Sequence, residues 1–161
     1  MKLDHIDIQI LNALQKNSQI TKKDLADQVG LSISPCWQRV KRLEKEGIIT
    51  QYSVELDLGK ITDYCVFFVQ IVLKSHDGNG FHVFEEGIKD IPEVVECYAT
   101  SGSIDYLIKI IVPNNESYHR VMDEIVSRNI GIDRYNGHLI RHNSKPYYFI
   151  DIFALLNKKP N

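Results

Sequence analysis

Residues 24–49 read DLADQVGLSISPCWQRVKRLEKEGII, and the way this stretch folds decides what the N-terminal part of the chain is. Leu25 and Val29 fall on one face of a short helix that Thr21 is placed to cap. Gly30 stops that helix, Leu31 begins a tight turn, and Ser32 stands where a third helix starts. Pro35 is tolerated because it falls in the first turn, where backbone N–H groups lack helical partners anyway. Gly47 ends the third helix after Glu46. Unrolled at ~100° per residue with Cys36 at the origin, Val40 and Leu43 lie within roughly 40° of it and form one apolar seam. Ser34, Gln38, Lys41 and Lys45 gather on the opposite face, with Arg42 beside them and Trp37 and Arg39 on the shoulders.

Upstream, Ile6, Ile10, Leu11 and Leu14 repeat at helical spacing, with Leu3 just ahead, and Asn17-Ser18 breaks that first helix. Charge is concentrated in the same region. The chain carries −2 overall, yet residues 16–45 hold seven basic side chains against Asp24, Asp27 and Glu44. A basic patch on a near-neutral chain points to a localised anionic partner, or else to a solvated helix face.

From Ile48 the pattern changes. Residues 49–58 alternate loosely through Thr50, Tyr52 and Val54, which fits a linker strand or an extended linker. Tyr64–Leu73 (YCVFFVQIVL) is aromatic and β-branched and reads as a buried strand. A loop at 76–80 leads to a helix at Phe81–Ile88, then strands at Val94–Ala99 and Tyr106–Val112 joined by Ser101-Gly102-Ser103. A helix at Tyr118–Val126 follows, then strands at Ile132–Ile140 and Tyr147–Leu156. The order is β, α, β, β, α, β plus one extra strand, the ferredoxin-like split βαβ arrangement. The expected fold is α+β: a helix-turn-helix domain at 1–49, a linker strand at 50–60, and a ferredoxin-like sandwich at 61–161. Its uncovered sheet face is a natural surface for self-association.

Composition limits the alternatives. At 161 residues, 43% hydrophobic and 25% charged, the chain matches globular usage and not disorder or coiled coil. No apolar run approaches the ~18–20 residues of a membrane span. Asp4 and Asp7 stand where a signal peptide would be apolar, so a soluble, cytoplasmic protein is expected. Cys36, Cys65 and Cys97 are widely spaced with no CxxC pair, which reads as three reduced thiols and no metal site.

Three short helices, the last basic on its open side, describe a helix-turn-helix. Such a helix packs one side on its own domain and offers small polar and basic side chains to the major groove. Ser34 and Gln38 suit base edges, Gln being able to pair bidentately with adenine. Lys41, Arg42 and Lys45 suit phosphates, which fix register without reading sequence. Trp37 either seals the helix on its domain or lies beside the DNA backbone, and sealing is the first expectation.

Three segments carry a family likeness: Leu3-Asp4-x-Ile6-Asp7-x-x-Ile10-Leu11, Asp24-Leu25-Ala26-x-x-Val29-Gly30-Leu31-Ser32, and Ser34-Pro35-Cys36-Trp37-x-Arg39-Val40-Lys41-Arg42-Leu43-Glu44-x-x-Gly47-Ile48-Ile49. Together they resemble the Lrp/AsnC family of transcriptional regulators. Pro92-Glu93-Val94-Val95-Glu96-Cys97-Tyr98 and Gly102-x-x-Asp105-Tyr106-Leu107-Ile108 resemble the sensing domain of the same family. The resemblance implies a winged-type helix-turn-helix whose DNA contacts come from Ser32, Ser34, Pro35, Gln38, Arg39, Lys41, Arg42 and Lys45. It implies homodimers that assemble to octamers on double-stranded DNA, with no cofactor and no membrane. A small effector, usually an amino acid, would bind near Tyr98, Thr100, Gly102, Ser103, Asp105 and Tyr106, where Asp105 offers a carboxylate to an α-ammonium group. Without the resemblance, Ser101-Gly102-Ser103 is only a hairpin turn and Asp105 a turn-capping residue. Two features depart from the pattern. The second sensing helix ends in Asn129-Ile130-Gly131-Ile132 where the family often has Pro-Gly-Val, and residues 143–161 run past the usual sheet to Lys158-Lys159-Pro160.

The rival reading is an enzyme on the same architecture, since some tetrapyrrole decarboxylases resemble this family and His119, His138 and His142 offer donors. In one strand, His138 and His142 would stand about 13 Å apart, too far for a single ion. No HExxH, nucleophile elbow or phosphate-binding loop is present. The expectation is therefore a regulator and not an enzyme.

Overall fold

The computed structural model describes residues 2–145 and 149–156. In chain order these form α1 (His5–Lys16), α2 (Lys22–Gln28), α3 (Ile33–Lys45), β1 (Cys65–Leu73), α4 (Gly78–Ile88), β2 (Val94–Ala99), β3 (Tyr106–Val112), α5 (Asn115–Ser127), β4 (Ile132–Leu139) and α6 (Ile152–Leu155). They divide into two compact units, one of residues up to Glu55 with the segment from Lys145 onward, the other Leu56–Ser144.

In the first unit each helix is set by its ends. α1 opens on a reciprocal capping box: the Asp7 amide donates to Asp4 Oδ1 (2.8 Å) and the Asp4 amide to Asp7 Oδ2 (3.1 Å). Thr21 Oγ1 accepts from the Asp24 amide at the start of α2. Gly30, at φ +70°, closes α2 in a left-handed turn, and the Leu31 amide reaches back to the Ala26 carbonyl. The core between the helices is Ile10, Leu11, Ala13, Leu25, Ala26, Val29, Cys36, Val40 and Leu43. Three of these are the seam residues of α3, all at most 1% exposed.

The second unit is a four-stranded antiparallel sheet in the order β2-β3-β1-β4, with α4 and α5 supplying the helical half of its core. β1 and β3 alternate strictly. Phe67, Val69, Ile71 and Leu73 pack with Tyr106, Ile108, Ile110 and Val112 beneath Phe84, Ile88, Tyr118, Val121, Met122 and Ile125. The Asn129-Ile130-Gly131 departure has a packing reason. Ile130 is buried against Gly87 of α4, where a Cβ would fall inside the Ile130 side chain, and Arg128 Nη1 donates to the Gly87 carbonyl at 2.8 Å.

Two expected strands do not form. Residues 49–57 have no strand partner and run as irregular chain, with Val54 and Leu56 exposed, before a 3₁₀ turn at Leu58–Lys60. A strand needs a ladder neighbour for its backbone, and among the described residues none lies beside this segment. The extra C-terminal strand is replaced as well, because Asp151 caps the short α6 instead. The Ile150 amide donates to Gln15 Oε1 of α1 (2.9 Å), its carbonyl accepts from Gln15 Nε2 (3.2 Å), and Phe153 is buried against His5. The segment that sequence placed with the sensing sandwich thus packs on α1. Phe153 is the buried anchor of this segment, while Phe149, Ile150, Leu155 and Leu156 stay exposed. Tyr147 and Tyr148 of the expected strand, and Lys158-Lys159-Pro160, lie outside the described residues.

Candidate nucleic-acid interface and effector cleft

On α3, Ser34, Pro35, Gln38, Lys41 and Lys45 are exposed, opposite the buried seam. Ser32 holds the N-cap position by its backbone, but its side chain makes no capping hydrogen bond. Lys41 Nζ pairs with Glu44 Oε2 at 2.7 Å, and Glu44 Oε1 accepts from the Tyr52 hydroxyl at 3.0 Å. The Lys41 ammonium, helped by that hydroxyl, holds the Glu44 carboxyl below its usual range. Burial and the Glu44 charge push the Tyr52 phenol up to about 12, so it stays a donor at neutral pH.

The two arginines turn elsewhere. Arg39 Nη1 contacts Asp4 Oδ2 (2.6 Å) and Asp7 Oδ1 (2.8 Å), and Arg42 Nη2 contacts the same Asp7 oxygen at 2.6 Å. Asp7 is 1% exposed. Burial pushes the Asp4 carboxyl up, but the Asp7 amide and the Arg39 guanidinium outweigh it and leave the group below its ordinary value. Arg42, expected at a phosphate, and Arg39, expected among the DNA contacts, are thus both engaged by the capping box of α1. Angular spacing along α3 could not show this, because it says nothing of which neighbour stands beside each shoulder. The signal that was available is Asp4-x-x-Asp7, an acidic pair beginning a helix.

Trp37 is half-buried against the core, with Lys22 Nζ 4.2 Å and Lys41 Nζ 5.1 Å from its ring centroid. Cys36 is buried, and burial pushes its thiol up, opposed in part by Arg39. In the native protein Cys36 should therefore stay unreactive toward a thiol reagent such as DTNB at pH 7.5 and react only as denaturant unfolds the head. Modification of Cys36 in the native state, read by peptide mapping, would show that this seam opens.

The residues expected at an effector divide. Thr100, Gly102, Ser103 and Asp105 form one loop, closed by hydrogen bonds from the Thr100 amide to the Asp105 carbonyl (2.8 Å) and from Thr100 Oγ1 to the Ile104 carbonyl (2.5 Å). Asp105 Oδ2 accepts from the Leu73 amide at 2.8 Å, and His76 Nδ1 stands 3.5 Å from Oδ1. One carboxylate oxygen is thus committed to tying the loop to the end of β1. Tyr106 does not belong with this group. It is 2% exposed beneath α4, with its hydroxyl on Glu85 Oε1 at 2.7 Å. Tyr98 pairs with Leu107 and so projects to the other side of the sheet, with its hydroxyl on Glu96.

Beside the loop lies a cavity of about 350 Å³ lined by Gln70, Val72, Ser103, Ile104, Arg134 and Asn136. Gln70, Arg134 and Asn136 escaped sequence reasoning because they meet only through the β1–β4 register, Gln70 opposite Asn136 and Val72 opposite Arg134. Arg134 brings a guanidinium to the cleft, a group suited to a carboxylate. Among the described residues, no three His, Cys, Asp or Glu side chains are grouped to hold a metal ion, and no helix is long and apolar enough to cross a membrane. His119 contacts Asn115 and His142 contacts Ser144.

Residues 3–50 match a family model described as winged helix-turn-helix DNA-binding, and residues 66–148 one described as Lrp/AsnC ligand binding domain. The transcriptional regulatory protein DoeX of Halomonas elongata is 41% identical over 145 residues, covering 90% of this chain and 92% of that protein. An AsnC family transcriptional regulator from Agrobacterium tumefaciens superposes with a TM-score of 0.87 at 31% identity, over 95% of this chain and 99% of the other. A transcriptional regulator of Neisseria meningitidis, solved as a complex with L-Met, superposes with a TM-score of 0.87 at 28% identity, over 96% and 99%. All three are named as regulators.

Proposed function

Because the chain belongs to the Lrp/AsnC family of transcriptional regulators, we propose that α3 enters the major groove with Ser34 and Gln38 at base edges and Lys41 and Lys45 at phosphates. Ser32 and Pro35 stand at the helix start beside the DNA backbone. Arg39 and Arg42 are given a different role from the one expected: they hold α3 against α1 at a fixed angle. The observation that carries this reading is the division of α3, with Cys36, Val40 and Leu43 buried and Ser34, Gln38, Lys41 and Lys45 all exposed on one face.

The second domain senses an amino acid in the cleft beside loop 100–105. The likeness to a regulator solved with L-Met supports an α-amino acid. Arg134 receives its carboxylate, Ser103 and Asn136 offer oxygens to its ammonium, and Asp105 keeps the loop in shape. The protein works in the cytoplasm as a homodimer joined through open sheet faces and through Tyr52, Val54 and Leu56, and dimers assemble to octamers. Effector binding favours one assembly over another and so changes DNA affinity.

Fluorescence anisotropy on the protein's own upstream DNA and on a scrambled duplex, across a salt series, tests the reading. Selective binding with a steep salt slope is expected; equal affinity for both duplexes would end it. Gln38→Ala should relax preference at one base position by ~1–3 kcal/mol if the contact is bidentate. An unchanged binding profile over single-base variants of the site would move Gln38 out of the groove.

A further inference from the structure

Trp37, the single tryptophan of the chain, sits where two helices bring their lysines together. Lys22 is the first residue of α2 and Lys41 lies on the exposed face of α3, yet both ammonium groups fall within 5.1 Å of one indole centroid. That is inside the ~6 Å over which an aromatic quadrupole attracts a cation. The indole is half-buried on the head's core, so its position is fixed by packing. Lys22 gains nothing from the dipole of α2, whose start disfavours a cation. The ring is what draws its ammonium toward α3. Lys41 is held from a second side by Glu44 at 2.7 Å.

Resting on the DNA-binding reading above, we propose that Trp37 is a positioning residue that pre-arranges Lys22 and Lys41 as a pair of DNA phosphate contacts, one from each helix of the helix-turn-helix. A free lysine loses much rotamer freedom when a phosphate captures it. A lysine already resting on an indole has lost part of that freedom before binding, so less affinity is forfeited on contact. The indole adds no charge. It therefore acts on the strength of binding and not on the number of counterions released.

These two quantities separate in a salt series on the full-length protein with its upstream duplex. Lys22→Gln is expected to reduce the slope of log K against log salt by about 0.9, as the loss of one phosphate contact does. Trp37→Leu, which keeps apolar packing but removes the π face, is expected to leave the slope unchanged. It should weaken every duplex alike, by about 2- to 5-fold for each lysine released. Trp37→Phe, which retains an aromatic face, should recover most of that loss. An unchanged slope in Lys22→Gln overturns the proposal, as does wild-type affinity in Trp37→Leu. Equal losses in Trp37→Phe and Trp37→Leu overturn it too, because the loss would then follow indole bulk. Failure of the wild-type protein to bind any duplex would instead remove the DNA-binding reading on which the proposal rests.

Discussion

Replacing Asp7 by alanine is expected to lower the stability of the helix-turn-helix head by about 2–3 kcal/mol and to abolish binding to duplex DNA. A single buried carboxylate of α1 receives Arg39 and Arg42 of α3, and its other oxygen completes the capping box of its own helix. Removing one partner of a fully buried ion pair costs about 3–5 kcal/mol, and the figure is smaller here because both guanidiniums retain solvent access. The expected loss of binding follows from position: without Asp7, Arg42 loses its carboxylate partner on α1 and only the more exposed Asp4–Arg39 pair still ties a shoulder of α3 to that helix. Trp37, as the only tryptophan, makes the head selectively visible in a urea titration of the whole protein. Its emission midpoint should fall in Asp7→Ala while effector binding by the second domain persists. An unchanged Trp37 midpoint would show that the cluster is ornamental to stability.

The same cluster separates the arginines from the lysines. Arg42→Ala should leave the salt slope as it is, where a phosphate contact would lower it by about 0.9. Acid should loosen the cluster too. The Asp4 carboxyl is depressed in the folded head, so its stabilising contribution is complete above the ordinary aspartate value near 3.8 and is lost as pH falls through the lower folded value. Loosening from this group is thus expected only below about pH 4.

Arg134→Ala is expected to abolish the response to amino acids while leaving basal DNA affinity within about two-fold of wild type. A hydrogen bond to a charged group contributes about 1.5–3 kcal/mol, so loss of a guanidinium–carboxylate pair should weaken the effector by about 10-fold or more. Arg134→Lys should recover little of it, because an ammonium cannot form the planar two-bond pair. The measurement is anisotropy on the upstream duplex against a panel of the common amino acids, with and without the substitution. A full response in Arg134→Ala would place the effector elsewhere on the sensing domain. Asp105→Ala offers a contrast, since that carboxylate holds the Leu73 amide and shapes the loop. It should blunt the response to every amino acid in the panel.

What could be read in advance followed local periodicity. The seam Cys36–Val40–Leu43, the alternation of β1 and β3, the stop at Gly30 and the βαββαβ order are all properties of neighbouring residues. A helix or strand has one repeat, and that repeat decides which side chains are buried together. The ends of Val94–Ala99 and Tyr106–Val112 could be placed because Pro, Gly and Ser mark them. The family likeness then gave the domain identities that periodicity alone left open.

Partnership between distant segments was not legible. Arg42 and Lys41 are adjacent and carry the same charge, yet one reaches a buried aspartate thirty-five residues away and the other reaches Glu44 and the Trp37 ring. The family likeness places Tyr98 and Tyr106 at one effector site, but the pleat sends one to the open face and the other beneath α4. Residues 149–156 have the composition of a strand but form an irregular stretch and a helical turn, in which the Ile150 backbone bonds Gln15 and the Phe153 ring packs on His5 of α1. The sequence by itself determined which faces are apolar, since burial of a periodic stripe is decided within each element. Only the tertiary structure decided which charge meets which and where the cleft beside loop 100–105 opens, because Coulomb and hydrogen-bond energies depend on distances that folding alone creates.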